Sequence, residues 1–308
     1  MSKASAPGKI ILFGEHAVVY GQPALAVPVT QVQTEVRIDR IFSPGIRINA
    51  PNIQLNERLD ALVASHPLAA TVRNTLSALE AGSLSGVAIL VRSSIPVASG
   101  LGSGAAVSVA IIRALAKHLK KDLTDEQVSA LAFETEKLYH GTPSGIDNTV
   151  VTYARPVYFI KGQPIEILRV KKPFTIVIGD TGIPASTKES VRDVRMQRHK
   201  NPERYETLFA AIGSIARTAC QLIENGMPES FGPLMDENHA LLRSMMVSSP
   251  ELDHLVEAAR KAGALGAKMS GGGRGGNMIA LAPAGKAGAV ARSLKEAGAV
   301  NTIITKVE

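Results

Sequence analysis

Cysteine and tryptophan are almost absent from this sequence, which has one cysteine and no tryptophan in 308 residues. A single cysteine excludes an internal disulfide, and Cys220 lies in an apolar helical pattern where packing is its simplest role. Long apolar runs are also missing: none approaches the length of a membrane span, and the run at residues 10–13 is too short for a signal-peptide core. We therefore expect a cytoplasmic protein that does not enter membranes.

Aromatic side chains make up only 4% of the residues, while the formal net charge is +7. A basic chain could bind nucleic acid, but these basic residues are dispersed and few rings are available for base stacking. The composition therefore favours small acidic ligands over nucleic acid. The densest basic run, at residues 192–200, is predicted to be a solvated helix face, and a share in attracting an anionic substrate is the alternative.

The motif G-x-x-x-x-G-K-[ST] is also missing, which disfavours the common P-loop nucleoside triphosphatases. A different glycine-rich loop joins a strand pattern to an alanine-rich helix pattern, and its sequence over residues 95–106 is Ile-Pro-Val-Ala-Ser-Gly-Leu-Gly-Ser-Gly-Ala-Ala. Glycines let a backbone approach an anion closely, and the first amides of a helix have no partner within it. The loop is therefore predicted to cradle phosphates.

Three interpretations of this loop remain open from the residues alone. It could be a structural turn before a buried helix. It could also be a dinucleotide fingerprint, since Gly100, Gly102 and Ala105 fit G-x-G-x-x-G/A and Asp122 follows near the expected distance. Asp122 leads, however, into a helix-start pattern where that fingerprint needs a second parallel strand. The third interpretation is a nucleoside-triphosphate loop of a non-Walker kind.

Acidic and basic side chains also occur where buried elements would end. The triplet Gly14-Glu15-His16 directly follows the apolar residues 10–13, where a strand would emerge, and a solvated turn is the alternative. Glu136 lies on a helical pattern over residues 124–139. It is either a surface carboxylate, the usual fate of a helical glutamate, or a metal ligand near the phosphates.

Asp147 lies near the end of an unusually polar segment, residues 140–148, in which almost every position not taken by glycine or proline is polar. Turn chemistry alone could explain the segment. Alternatively, an aspartate at the end of a rigid loop could accept a proton from a substrate hydroxyl that attacks a phosphoryl group, provided that a cation keeps it ionised. Lys9 is the candidate for that cation.

The chain is long enough for two domains, with 45% hydrophobic and 20% charged residues. Its first half starts with strand patterns, and the sequence predicts a broken helix over residues 56–81 and strand-like segments over 150–170. The second half alternates helices with a few strands, so the predicted fold class is α+β. A hinge pattern at residues 171–173 predicts domains over 1–171 and 172–308.

Three separated segments carry a family resemblance. They are Ala-Pro-Gly-Lys through Gly-Glu-His-Ala-Val-Val-Tyr-Gly over residues 6–21, the glycine loop over 96–106, and Lys-Met-Ser-Gly-Gly-Gly-Arg-Gly-Gly over 268–276. In sequence and order they resemble the signature motifs of the GHMP kinases, which phosphorylate galactose, homoserine, mevalonate and phosphomevalonate. The resemblance implies the two-domain α+β fold of that superfamily, with a ribosomal S5 domain 2-like N-terminal domain and a ferredoxin-like C-terminal α/β domain.

The first motif, together with His-Gly-Thr-Pro-Ser-Gly-Ile-Asp-Asn at residues 140–148, is most similar to the branch that phosphorylates mevalonate. The implied reaction transfers the γ-phosphate of ATP to the 5-hydroxyl of mevalonate with Mg²⁺, and the implied assembly is a homodimer. A related diphosphomevalonate decarboxylase is the first alternative, and the Gly-Glu-His run disfavours it. A non-catalytic metabolite sensor is disfavoured by Lys9, Glu136 and Asp147, and an NAD-dependent dehydrogenase is the third alternative.

The resemblance also implies roles for individual residues by position. Asp147 matches the catalytic acid of the family, its proposed base, and Lys9 matches the lysine beside that acid. Glu136 matches the magnesium-binding glutamate. The residues implied to bind the ATP phosphates are Pro96, Ser99, Gly100, Leu101, Gly102, Ser103, Gly104, Ala105 and Ala106. The residues implied to line the mevalonate pocket are Glu15, His16, Ser144 and Thr187.

Two positions depart from the motifs of the family. Its phosphate loop usually has consecutive serines after Gly-Leu-Gly, one of which binds magnesium, whereas this chain has Ser103 followed by Gly104. Ser103 is therefore the expected hydroxyl ligand of the metal, with a water molecule as the alternative. Arg274 interrupts a motif that is otherwise built from small residues, and it either adds a positive charge near the phosphates or points outward.

Overall fold

The computed structural model describes residues 1–82, 84–96, 99–140 and 143–308. Val97 and Ala98 of the first glycine loop lie outside the described residues, as do Gly141 and Thr142 of the segment before Asp147. No helix within the described residues combines the length and the apolar character needed to cross a bilayer.

The chain divides by its internal contacts into two compact units. Unit 1 comprises residues 1–8, 32–97 and 102–154, and unit 2 comprises residues 9–31, 98–101 and 155–308. The division into domains at residue 171 stays a prediction.

Strands and helices are mixed in both units, which confirms the predicted α+β class. The strands are β1 (Ser2–Phe13), β2 (Ala24–Arg40), β3 (Ile46–Ala50), β4 (Leu55–Arg58), β5 (Val87–Ser93), β6 (Val157–Phe159), β7 (Glu166–Ile167), β8 (Phe174–Asp180), β9 (Gly266–Ser270), β10 (Asn277–Ala282) and β11 (Asn301–Val307). The helices are α1 (Pro67–Ala78), α2 (Ser103–Leu119), α3 (Asp125–His140), α4 (Ile146–Tyr153), α5 (Thr187–Lys200), α6 (Pro202–Glu224), α7 (Gly232–Ser244), α8 (Pro250–Lys261) and α9 (Ala287–Glu296).

Unit 1 contains a sheet in which β5 lies between β2 and β3. β5 is antiparallel to β2, with Ser93 opposite Thr34, and parallel to β3, with Val87 opposite Ile46. Alternate residues of β5 are buried, which places one face of the strand on a core. The helices α1 to α4 pack on one another, and α2 also packs on β5. The helix that follows the glycine loop is thereby fixed to the strand that precedes it.

Unit 2 contains an antiparallel sheet in the order β11-β8-β10-β9. Every residue of β9 and β10 is buried, and α7, α8 and α9 pack on strands of this sheet. The approach of α7 to β9 requires glycine, because a Cβ on Gly266 would lie 1.9 Å from the carbonyl oxygen of Gly232. A second set of strands in the unit joins residues 24–26 of β2 to β6, and β6 to β7.

Two predicted elements are wrong. The helix predicted over residues 56–81 begins only at Pro67, whose missing N–H is tolerated at the first helical position, and β4 occupies the start of the range. The strand-like start of the range 150–170 belongs to α4. Its β-branched residues Val150 and Val151 are buried there, so packing overrides their strand preference.

Candidate active site

The end of the first glycine loop lies in unit 2, where two other segments hold it. The carbonyl of Leu101 accepts a hydrogen bond from the backbone N–H of Lys9 at 2.9 Å, and the carbonyl of Ser99 accepts one from the side-chain amide of Asn277. Gly100, between them, has a φ of 83°, in the left-handed region that favours glycine. The backbone of the predicted cation, Lys9, is thus joined directly to the predicted phosphate loop.

The helix α2 supplies the amide groups that a phosphate site needs, and it lies in unit 1. Gly102 precedes the helix with a φ of 73°, and Ser103 is its first residue. The first N–H of the helical ladder is that of Ala106, which donates to the carbonyl of Gly102 at 2.9 Å. The amides of Ser103, Gly104 and Ala105 precede that ladder at the positive end of the helix dipole, as the predicted role in binding an anion requires.

Glu136 is the predicted magnesium ligand, and its side chain is only 2% exposed on α3. A carboxylate this deeply buried is stabilised when a cation or hydrogen bonds compensate its lost hydration. α3 packs directly on α2, the helix that begins at Ser103. Within the described ranges, no three histidine, cysteine or acidic side chains form a metal cluster. One carboxylate and one hydroxyl suit Mg²⁺, which commonly takes the rest of its oxygen ligands from phosphates and water.

Asp147 is fixed by the start of α4 in unit 1. Gly145 precedes the helix with a φ of 98°, and Asp147 lies half-buried in the first turn. The next residue, Asn148, is buried and donates from Nδ2 to the hydroxyl of Ser129 at 2.9 Å and to its carbonyl at 3.1 Å. These bonds attach the first turn of α4 to α3. Ser144, predicted to line the substrate pocket, immediately precedes this turn.

Glu15 forms a buried ion pair in unit 2 that the motif analysis did not assign. Its Oε1 is bonded to Nζ of Lys268 on β9, and both side chains are fully buried. Lys268 also donates to the carbonyl of Met269 at 2.8 Å. Burial lowers the pKa of Lys268, and Glu15 opposes that shift. The second oxygen, Oε2, is buried and has no hydrogen-bond partner among the described residues, so it remains available to a ligand that donates a hydrogen.

His16 presents a second acceptor of the same kind. Its Nε2 lies 3.1 Å from the carbonyl oxygen of Gly272, so Nε2 carries the hydrogen and Nδ1 is bare. Nδ1 is buried without a partner in the part of the chain that the structure describes. Burial lowers the pKa of His16 to about 4; the Gly272 bond opposes this, while Arg274 and Lys268 add to it. The imidazole is therefore neutral near pH 7.

Thr187, also predicted on the substrate side, lies close to the same segment. A Cβ on Gly272 would lie 2.9 Å from Oγ1 of Thr187, so the threonine hydroxyl is next to the backbone that accepts from His16. The structure therefore brings three of the four predicted pocket residues, Glu15, His16 and Thr187, to the segment 268–272 of unit 2. Two bare acceptors and a hydroxyl suit a ligand that carries hydroxyl groups.

Arg274, the residue that interrupts the third motif, is held on α5. Its Nη1 lies 2.5 Å from Oδ2 of Asp193, and its Nε donates to the carbonyl of Met246 at 3.3 Å. The guanidinium lowers the pKa of Asp193. The backbone of Arg274 has a φ of 60°, in the left-handed region, which costs a non-glycine residue about 1–2 kcal/mol.

We expect Arg274→Gly to be more stable to unfolding than Arg274→Ala by about 1 kcal/mol. Both variants lose the half-exposed ion pair with Asp193, which contributes little to stability, and only glycine removes the left-handed strain. Urea unfolding of the two proteins measures the difference. Equal midpoints and slopes would show that the backbone at this position carries no strain.

The acid stability of the chain should depend on two buried histidines. His239 on α7 accepts from the N–H of Met269 at 3.3 Å through Nδ1, and its Nε2 lies 3.1 Å from Asp253. Burial lowers the pKa of His239 to about 4, against the opposing effect of Asp253. For this residue and His16, the folded-state pKa lies below the unfolded value of about 6.5. Above pH 6.5 both histidines are neutral in the folded and the unfolded chain. As the pH falls towards 4, the unfolded chain binds protons at these residues that the folded chain does not, so the free energy of unfolding decreases.

We therefore expect the free energy of unfolding to fall between pH 6.5 and 4 by up to about 1.4 kcal/mol per pH unit for each histidine. Urea unfolding at a series of pH values measures the slope. His16→Gln and His239→Gln should each flatten it, whereas a variant of the exposed His199 should leave it unchanged. Curves that run parallel for all four proteins would contradict the expectation.

Two functional candidates, Lys268 and Asn277, were not singled out from the sequence. Lys268 begins the segment 268–276 and Asn277 directly follows it, and both lie in strands whose other residues are almost all apolar or small. A lysine or an asparagine within a fully buried strand must have a compensating partner. Their presence in two apolar strand patterns could therefore have indicated buried polar contacts.

Family models and individual relatives indicate the same family for this chain. The family models described as GHMP kinases N terminal domain and GHMP kinases C terminal match residues 68–155 and 219–300. A mevalonate kinase of Pyrococcus abyssi is 39% identical over 99% of this chain and 95% of its own length. One from Thermococcus sibiricus is 40% identical with the same coverage.

Solved structures agree. The crystal structure of L. major mevalonate kinase in complex with R-mevalonate has a TM-score of 0.87 and 30% identity, covering 100% of this chain and 96% of that one. The structure of the Methanococcus jannaschii mevalonate kinase has a TM-score of 0.85 and 25% identity, covering 99% and 96%.

Proposed function

Since this chain belongs to the GHMP kinases and, within them, to the mevalonate kinase family, we propose that it transfers the γ-phosphate of ATP to the 5-hydroxyl of mevalonate. The products are 5-phosphomevalonate and ADP. The two-domain GHMP kinase fold and the ATP-dependent kinase activity belong to the same family assignment.

The arrangement of Glu15 and His16 supports mevalonate as the acceptor. Oε2 of Glu15 and Nδ1 of the neutral His16 are buried acceptors without partners in the described part of the chain. A hydroxyl group of a ligand can donate its hydrogen to such an acceptor, and a buried acceptor left unsatisfied costs about 1–3 kcal/mol. Mevalonate has a 3-hydroxyl group besides the 5-hydroxyl that reacts, and R-mevalonate is the ligand in the L. major mevalonate kinase structure.

The proposed chemistry is direct phosphoryl transfer. Asp147 accepts the proton of the 5-hydroxyl while the hydroxyl oxygen forms its bond to the γ-phosphorus and the bond from that phosphorus to the β,γ-bridging oxygen breaks. Lys9 and the amides at the start of α2 stabilise the negative charge on the phosphoryl oxygens. An alternative, in which Asp147 and Lys9 act mainly by electrostatics and orientation, predicts a smaller loss when Asp147 is replaced.

Magnesium is the proposed cofactor, and Ser103 and Glu136 would hold it. When bound, it supplies positive charge that neutralises the phosphate oxygens of ATP. We further propose that the chain acts as a homodimer in the cytoplasm. The cytoplasmic location is favoured by the use of ATP and by the single cysteine.

An ADP-release assay tests the function with mevalonate, phosphomevalonate, diphosphomevalonate, homoserine and galactose as acceptors and mass spectrometry of the products. Turnover of mevalonate to 5-phosphomevalonate, abolished by EDTA and restored by Mg²⁺, is the expected result. Release of carbon dioxide from diphosphomevalonate would indicate the decarboxylase instead, and no turnover of any acceptor would refute a kinase. Light scattering during size-exclusion chromatography measures the assembly.

A further inference from the structure

Asn277 lies at the start of β10, directly after the second glycine loop, residues 271–276, and the residue is 1% exposed. Its backbone is paired on both sides of the strand, opposite Ser270 of β9 and opposite Asp180 of β8. Pairing on two sides leaves the backbone little freedom to move. The carboxamide therefore projects from a rigid part of unit 2.

The carboxamide makes one hydrogen bond among the described residues, from Nδ2 to the carbonyl oxygen of Ser99. Oδ1 of the same amide is buried and has no partner in that part of the chain. The bond to Ser99 is thus the interaction that compensates for burying the amide. Ser99 is itself buried, so its carbonyl also needs a donor from the protein.

The contact is tight because of neighbouring glycines. A Cβ on Gly276 would lie 3.2 Å from the carbonyl oxygen of Ser99, and a Cβ on Gly100 would lie 3.9 Å from Nδ2 of Asn277. Gly276 is itself held by two hydrogen bonds, since both the N–H and the hydroxyl of Thr181 donate to its carbonyl at 2.9 Å. The second glycine loop therefore packs directly against the first.

A second hydrogen bond also orients the first loop. The carbonyl of Leu101, two residues later, accepts from the N–H of Lys9 at 2.9 Å. Both carbonyls are thus directed at protein donors, on either side of Gly100. A carbonyl turned towards a phosphate would repel it, whereas free N–H groups attract it. Holding these two carbonyls in place keeps the loop in the form that binds anions.

We propose that Asn277 is a positioning residue for the nucleotide: through the carbonyl of Ser99, its carboxamide holds the glycine loop in the conformation that receives the ATP phosphates. This role rests on the proposed function for the identity of the ligand. Asn277 would exert this role without contact with ATP.

Asn277→Asp and Asn277→Leu test the role. Aspartate keeps the shape of the side chain but replaces the donor by an acceptor, and leucine has a similar size without polar atoms. Calorimetric titration with ATP, together with kcat and both KM values, is the measurement. We expect each variant to raise the Kd and the KM for ATP by about three- to tenfold, the size expected from one lost buried hydrogen bond, with the KM for mevalonate changed less than about twofold.

Asn238→Leu is the matched control. Asn238 is a fully buried asparagine of α7 in the same unit, and neither polar atom of its side chain has a partner among the described residues. Its replacement also removes a buried carboxamide, but it should leave the Kd for ATP unchanged. An unchanged Kd for ATP in both Asn277 variants would overturn the proposal, and so would equal rises in both KM values.

A rise in the aspartate variant alone would also overturn it, because the effect would then come from the added charge. Should the leucine variant not fold, Asn277→Ala replaces it in the comparison. Measurements of ATP binding and of mevalonate phosphorylation by the unmodified chain distinguish this role from the proposed function. If it binds ATP without phosphorylating mevalonate, the function fails while the Kd comparison still decides the role of Asn277. If it does not bind ATP, both fail.

Discussion

Replacing Asp147 by asparagine is expected to lower kcat by at least about 10²-fold, within the 10²- to 10⁴-fold range that a positioned base contributes. Asparagine keeps the shape of the side chain in the first turn of α4 but cannot take up the proton of the attacking hydroxyl. ATP binding should persist, because the glycine loop and the start of α2 are unchanged. Steady-state kinetics and calorimetric titration with ATP measure the two quantities separately.

Asp122→Asn is a suitable control, since Asp122 is an exposed aspartate of the same unit. It should retain full turnover and the same affinity for ATP. A kcat for Asp147→Asn within about threefold of the unmodified enzyme would remove Asp147 from the role of base. An intermediate loss, of about tenfold, would favour the alternative in which Asp147 acts by orientation and electrostatics.

Replacing Lys268 by methionine is expected to lower the free energy of unfolding by about 3–5 kcal/mol. Methionine fills nearly the same space, so the loss comes from leaving the carboxylate of Glu15 buried without its cation. The same change should raise the KM for mevalonate, because Glu15 is a proposed substrate residue. Urea unfolding and steady-state kinetics are the measurements.

The double variant Glu15→Gln with Lys268→Met separates the two effects. A neutral amide beside methionine carries no unpaired charge, so most of the lost stability should return. The KM for mevalonate should stay high, since the amide does not restore a carboxylate oxygen to the pocket. Equal stability of the double variant and Lys268→Met would show that the ion pair is not the source of the loss.

The features that the sequence predicted correctly depend on neighbouring residues. Glycines before an alanine-rich apolar run predicted a loop that leads into a helix, and α2 follows the glycines from Ser103, because the left-handed turn and the helix are both local properties. Glu15 and His16 were noticed as candidates because polar residues follow an apolar strand, and their role in binding a substrate stays a prediction. The local patterns left the roles of Glu136 and Asp147 open between structural and functional alternatives, and the family resemblance favoured the functional ones and added Thr187.

The features that escaped prediction depend on contacts between distant residues. Lys268 lies 253 positions from Glu15 in the chain, and Asn277 lies 178 positions from Ser99. A lysine or asparagine in isolation predicts a solvent-exposed side chain, and only the folded chain shows which buried group it satisfies. The helix at residues 150–153 was missed for a related reason, since tertiary packing outweighed the local preference of two valines.

The backbone of His16 has a consequence for engineering this protein. The residue has a φ of 61° and a ψ of −48°, a combination that side chains rarely adopt, and conformations of this kind cost of order 1–3 kcal/mol. Glycine at position 16 relieves this strain, but it also removes a buried imidazole and its bond to the carbonyl of Gly272 and leaves a cavity in their place. Clones with glycine would in addition lose the acceptor that faces the proposed substrate pocket, so a library at this position needs activity and thermal tolerance to be scored together.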